Sequence, residues 1–158
     1  MAHAKEEQTL IIIKPDAIHR GLLGQIMNRF ERKGLVIVGM KMIQASDELL
    51  DEHYAHHADK AFFAELKNFM QDAPVVVVAL SGINAITATR LIVGSTAGHE
   101  AEAGSIRGDF AMSVQSNLVH ASDSPETAKK EIERFFPEAD LYDYERNDFS
   151  VVYSDANR

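Results

Sequence analysis

His120 closes the apolar run of NLVHASDS (117–124), and the residues around it could turn it into a reagent. The pattern delivers it to the open end of a strand, where a ligand can reach a ring nitrogen. Glu131 belongs to the next helix and, at about 100° per residue, falls at the edge of the stripe formed by Ala128, Ile132 and Phe135. A carboxylate that faces partly inward needs a partner, and the imidazole one connection earlier is available. Such a pair fixes the tautomer and leaves the other ring nitrogen with a free lone pair, the arrangement of a nucleophile. The stretch alone favours a plainer state, a histidine satisfied by neighbouring hydroxyls at a helix cap.

Lys14 follows directly on a buried strand, Arg90 lies late in a helix beside Leu91, and Arg107 sits in SIRGDF just before the fourth strand. Taken singly, each reads as a surface charge. Neither G-x-x-x-x-G-K-[ST] nor G-x-G-x-x-G occurs, so any phosphate is held by side-chain cations, with arginine supplying bidentate contacts. Among the seven histidines, His53, His56 and His57 have the i, i+3, i+4 spacing of one helical face. Alanines and charges between them favour a solvated helix face over a metal site. His3 falls in an expected frayed terminus, and His19 and His99 lie in polar surroundings without an evident partner.

The elements that must position these groups follow from periodicity. TLIIIKP (9–15) is a β-branched run stopped by proline, as a strand buried on both faces would be. A helix then carries Leu22, Leu23, Ile26, Met27 and Phe30 on one stripe, with Gly34 after it as C′ residue. LVIVGMKMI (35–43) reads as a second strand, and Ser46 caps a short helix through Tyr54. A further helix carries Phe62, Phe63, Leu66, Phe69 and Met70, where Phe62 fits the core stripe. VVVVALS from Val75 is the third strand, and Asn84 to Val93 a helix capped by Asn84 and closed by Gly94. Ser95 to Ser105 has no periodicity and reads as a long loop. AMSVQSNLVH (111–120) is the fourth strand, and Ser124 with Pro125 starts the last helix, with stripe Ala128, Ile132, Phe135 and Phe136.

The order β-α-β-(αα)-β-α-β-α predicts an α+β, ferredoxin-like (βαββαβ) sandwich. Its four-stranded antiparallel sheet is covered by helices on one face, with extra helices and a long loop before the last strand. The chain, 1–158, is expected to form one domain, with 1–7 as a frayed N-terminus. The start MAHAKEEQ has no apolar segment of a secretory signal, and VVVVAL is too short to span a bilayer, so a soluble, cytoplasmic protein is expected. A formal charge of -8 gives no field to steer the chain to nucleic acid. With no cysteine there is no disulfide, thiol nucleophile or thiolate zinc site.

Taken together, KPDA (14–17), RGLLG (20–24), EHY (52–54), IRGDF (106–110) and NLVHASDS resemble the nucleoside diphosphate kinases, over roughly residues 8–153. The Asn-x-x-His-x-Ser-Asp pattern at Asn117 to Asp123 is highly specific in that company and favours the reagent state of His120. The resemblance implies ping-pong phosphoryl transfer, with His120 taking the γ-phosphate of a nucleoside triphosphate such as ATP and passing it to a different nucleoside diphosphate. It further implies that Glu131 orients the His120 ring and Ser122 supports that carboxylate. Lys14 and Asn117 would hold sugar hydroxyls, with Lys14 and Tyr54 also near the transferred phosphate. Arg90, Thr96 and Arg107 would hold phosphates, and Phe62 would stack on the base with Val114 across from it. Magnesium would ride on the nucleotide phosphates rather than in a protein cage. A homo-oligomer is implied, a hexamer first and a tetramer or dimer next, with no membrane or nucleic-acid partner. Ala121 stands where glycine is commoner after the histidine, a change that is tolerated unless φ must be positive.

Overall fold

A computed structural model describes residues 6–157 of the chain. In chain order the elements are β1 (Glu6–Ile13), α1 (Pro15–His19), α2 (Leu23–Lys33), β2 (Val36–Ile43), α3 (Asp47–His53) and α4 (Phe63–Gln71). There follow β3 (Val75–Ile83), α5 (Ala85–Val93), α6 (Ile106–Phe110), β4 (Val119–Ala121), α7 (Pro125–Phe135) and α8 (Phe149–Val152). The strands form one four-stranded sheet in the order β2-β3-β1-β4, with every neighbouring pair antiparallel. This is the expected ferredoxin-like α+β arrangement.

The sheet is covered on both faces rather than one. Ile11, Ile13, Val76, Val78 and Leu80 pack against Ile26, Met27 and Phe30 of α2 and against Ala85 and Val93 of α5. Leu10, Ile12, Val75, Val77 and Ala79 point the other way, onto Leu50, Met70 and Ile132, Phe135 and Phe136. Strand residues alternate sides, so the unbroken apolar runs of β1 and β3 already require two covers. Each fully buried Leu, Ile or Phe contributes roughly 1.5–3 kcal/mol of transfer free energy.

Other local readings change for identifiable reasons. The helix expected to carry Leu22 to Phe30 is α2, and a short helix that was not expected, α1, precedes it, with Gly21 at φ 64 between them. Glu6 and Glu7, expected in the frayed terminus, open β1, whereas residues 1–5, and with them His3, lie outside the described residues. The fourth strand is confined to Val119–Ala121; residues 111–118 run as bends and turns, and Leu118 takes φ 75, which no strand accommodates. Asn84 makes no side-chain cap at φ 57, and the Ile86 amide donates instead to Glu7 Oε2 at 3.2 Å. Ser46 and Ser124 do cap α3 and α7, accepting from the Leu49 and Thr127 amides. The 95–105 stretch is ordered by a short turn at Gly98–Glu100, by Gly98 N–H donating to Ser113 O at 3.1 Å, and by Arg29 donating to Gly104 O at 2.7 Å. His19, expected without a partner, meets Asp72 at 3.0 Å on the surface, and His99 approaches Glu100 at 3.5 Å. No described helix is long and apolar enough to cross a membrane.

Candidate active site

β4 lies antiparallel to β1 in a register that sets His120 opposite Ile12. Directly after it, Ser122 is fixed to β1: its N–H donates to Leu10 O at 3.1 Å and its Oγ accepts from Leu10 N at 3.2 Å. The Ser124 cap and Pro125 then turn the chain into α7, which carries Glu131 back to the strand end. Nε2 of His120 meets Glu131 Oε1 at 2.9 Å, and Ser122 Oγ donates to Glu131 Oε2 at 2.5 Å. Burial alone would raise the Glu131 carboxyl, yet the bonds to His120 and Ser122 outweigh it and hold the pKa below its ordinary value. With this carboxylate ionised, Nε2 is the donor and Nδ1 keeps the lone pair.

His120 lines a cleft of about 540 Å³ that also receives Lys14, Arg90, Arg107 and Asn117. Tyr54, Phe62, Thr96 and Val114 complete the parts of its wall that the sequence singled out. Glu131 and Ser122 sit behind the imidazole, so all the expected residues come together, in two layers. Phe62 is not core: it lies just before α4, 48% exposed, and Val114 is 56% exposed. Both are surfaces available to a stacking ligand. Ala121 is absent from the positive-φ residues, so its Cβ is accommodated.

The cations are held in different ways. Lys14 is buried, and its Nζ donates to Asn117 Oδ1 at 2.7 Å; Asn117 Nδ2 in turn donates to Thr96 O at 3.0 Å. Burial and the nearby Arg107 push the Lys14 pKa down to about 8, against an upward pull from Asp16. Arg107 donates to the carbonyls of Asn117, Gly94 and Val119 at 3.2, 3.0 and 2.6 Å. Its guanidinium therefore pins the turn before β4 and offers the cleft only its remaining N–H donors. Burial, then Arg90, lower its pKa to about 10, still a full cation near neutral pH. Arg90 is exposed on α5. Tyr54 is buried, and burial together with Glu131 keeps its phenol protonated well beyond the ordinary range.

The three-histidine face does not form. α3 ends at His53, which is buried against the site, while His56 and His57 occupy the short turn Ala55–His57. The His53 ring stands edge-on to His120 with centroids 5.0 Å apart, and its Nδ1 lies 3.2 Å from Arg134 Nη1. Burial, then His120, depress its pKa to about 3, so it is a neutral ring with Nδ1 as acceptor. His57 lines the cleft and packs edge-on to Phe62 at 5.3 Å. Sequence reasoning assigned neither His53 nor His57 to the cleft; the EHY motif was the one signal near them.

Among the described residues, the group whose ligand atoms lie close enough to share a metal ion is His53, His120 and Glu131, all within 4.8 Å. Glu131 is already bonded to His120 and Ser122, and His53 faces the Arg134 cation. Two imidazoles and one committed carboxylate do not suit a magnesium cage. The Lys14, Arg90 and Arg107 cations on the cleft wall suit phosphate oxygens.

The β2-β3-β1-β4 sheet and the cation-lined, histidine-centred cleft define an α+β domain of the ferredoxin-like class with a built site. The family model described as nucleoside diphosphate kinase matches residues 7–141. The chain belongs to the nucleoside diphosphate kinase family, and is thus an enzyme, a nucleotide-binding kinase among the transferases. It is similar to the nucleoside diphosphate kinase of Parabacteroides distasonis, at 49% identity over 94% of this chain and 97% of the relative. That of Nocardia farcinica is 55% identical over 84% of this chain and 96% of the relative. Among solved structures, the halophilic nucleoside diphosphate kinase of Halobacterium salinarum in complex with CDP superposes with a TM-score of 0.91 at 39% identity, covering 94% of this chain and 99% of that one.

Proposed function

We propose that the protein transfers the γ-phosphate of a nucleoside triphosphate to a nucleoside diphosphate in two half-reactions, through a phosphohistidine at His120. The observation that carries this is the Ser122–Glu131–His120 chain of hydrogen bonds at the cationic cleft. In the first half-reaction the Nδ1 lone pair forms a bond to the γ-phosphorus, the bond from phosphorus to the bridging oxygen breaks, and the diphosphate leaves with that electron pair. The positive charge that develops on the ring faces Glu131 through Nε2–H. In the second, a terminal oxygen of another diphosphate attacks the same phosphorus, the N–P bond breaks, and the lone pair returns to Nδ1.

Phosphoryl transfer is largely positioning and charge stabilisation, and here the side chains of Lys14, Arg90 and Arg107 supply it without a glycine-rich loop. Thr96 and Tyr54 reach the same phosphates, and Lys14 and Asn117 the sugar. A base stacks between Phe62 and Val114, contacts that tolerate every base. Magnesium bound to the nucleotide would neutralise phosphate charge.

We read the chain as one cytoplasmic domain working as a homo-oligomer, a hexamer first and a tetramer or dimer next. Met40 and Met42, 48% and 58% exposed on the outer strand β2, support an associating surface. Incubation with γ-labelled ATP and Mg²⁺ should give an acid-labile, base-stable label on the protein that any nucleoside diphosphate removes. Equal labelling of His120→Ala would sink the proposal.

A further inference from the structure

Leu118 is fully buried, yet its backbone takes φ 75. A β-carbon makes that region unfavourable, so a leucine stays there only where its surroundings dictate it. Both of its peptide groups are gripped by the stretch that follows β1: Leu118 N–H donates to Asp16 Oδ2 at 3.0 Å, and Lys14 N–H donates to Leu118 O at 2.9 Å. Its sequence neighbours belong to the cleft. Asn117 precedes it and holds the Lys14 ammonium, and His120 lies two positions on.

We propose that Asp16 is a positioning residue of this site. Its carboxylate holds the left-handed turn that sets Asn117 and His120. The inference rests on the phosphoryl-transfer reading for its activity readouts only. Asp16 Oδ1 is buried without a hydrogen-bond partner among the described residues, so the carboxylate acts on the turn through Oδ2 and the Leu118 amide.

Asp16→Asn keeps an acceptor oxygen of the same shape, whereas Asp16→Ala removes it. For each, the rate of label uptake, calorimetric ADP affinity and Tm are measured. Label uptake should be about tenfold slower in Asp16→Ala than in Asp16→Asn, because only the alanine lets the turn relax. A solely structural role would lower Tm without separating the two variants in uptake, and equal uptake rates overturn the proposal. Should Asp16→Ala not fold, Asp16→Ser, too short to reach the Leu118 amide, takes its place. If the wild-type protein takes up no label, the phosphoryl-transfer reading fails, while weaker ADP affinity in Asp16→Ala than in Asp16→Asn still decides whether Asp16 sets the turn beside Asn117.

Discussion

Oε1 of Glu131 lies 2.9 Å from Nε2 of His120, and the other oxygen of the same carboxylate takes the Ser122 hydroxyl at 2.5 Å. One buried side chain thus joins the helix that carries it to the strand end that carries the imidazole. The ring can neither flip nor exchange tautomers without breaking that bond. Replacing Glu131 by Ala is expected to slow label uptake from ATP by one to two orders of magnitude, at about 10-fold per 1.4 kcal/mol. Ser122→Ala should cost less, about fivefold, since His120 keeps its direct partner. Rapid-quench measurement of the first half-reaction tests both, and a wild-type rate in Glu131→Ala would remove that residue from the site.

The Lys14 ammonium should make nucleotide affinity fall in mild alkali. Burial and Arg107 hold its pKa near 8, below the usual 10.5, so the cation is present below about pH 8 and is lost above it. KM for ATP is expected to rise as pH passes from 8 to 9, and Lys14→Ala should raise KM at neutral pH and flatten that limb. A limb of unchanged steepness in the variant would assign it to another group.

His53 should make the fold sensitive to acid. Its pKa lies near 3 in the folded chain against about 6.5 for an ordinary imidazole, so between those values the unfolded chain holds a proton that the folded one refuses. Stability from this group is therefore whole above about pH 6.5 and declines as pH falls, by about 1.4 kcal/mol per pH unit for one proton. Urea unfolding of His53→Gln from pH 4 to 7 should show a shallower slope by up to one proton. An identical slope would mean that His53 is protonated in the folded protein.

The wall formed by Phe62 and His57 should govern nucleotide affinity. Phe62→Ala removes the stacking face and is expected to raise KM about tenfold, within the roughly 1–3 kcal/mol of a base–aromatic contact, with a smaller change in kcat. The His57 ring packs edge-on to Phe62 at 5.3 Å, and partial burial with His56 and Lys60 lowers its proton affinity. His57→Leu keeps an apolar wall and should raise KM by about two- to threefold. Steady-state kinetics with ADP and CDP as acceptors reads both, and unchanged KM values would place the base elsewhere.

The strand and helix pattern, the caps at Ser46 and Ser124, and the pairing of His120 with Glu131 are all legible in the sequence. They depend on alternation, on helical spacing and on side chains close along the chain, which local order encodes. The family resemblance marked the cleft residues as well, including Phe62, whose own helical spacing pointed into the core. What the sequence left undecided depends on contacts between distant segments. The antiparallel register that sets His120 opposite Ile12 brings Asp16 to Leu118, and the fold turns His53 inward beside the catalytic candidate. Periodicity carries no sign of a leucine held at φ 75, because that conformation is imposed by hydrogen bonds from residues about a hundred positions away. Arg107 looked like a free phosphate ligand, and only the packed structure committed part of its guanidinium to backbone carbonyls, since buried carbonyls must find donors wherever the fold leaves them.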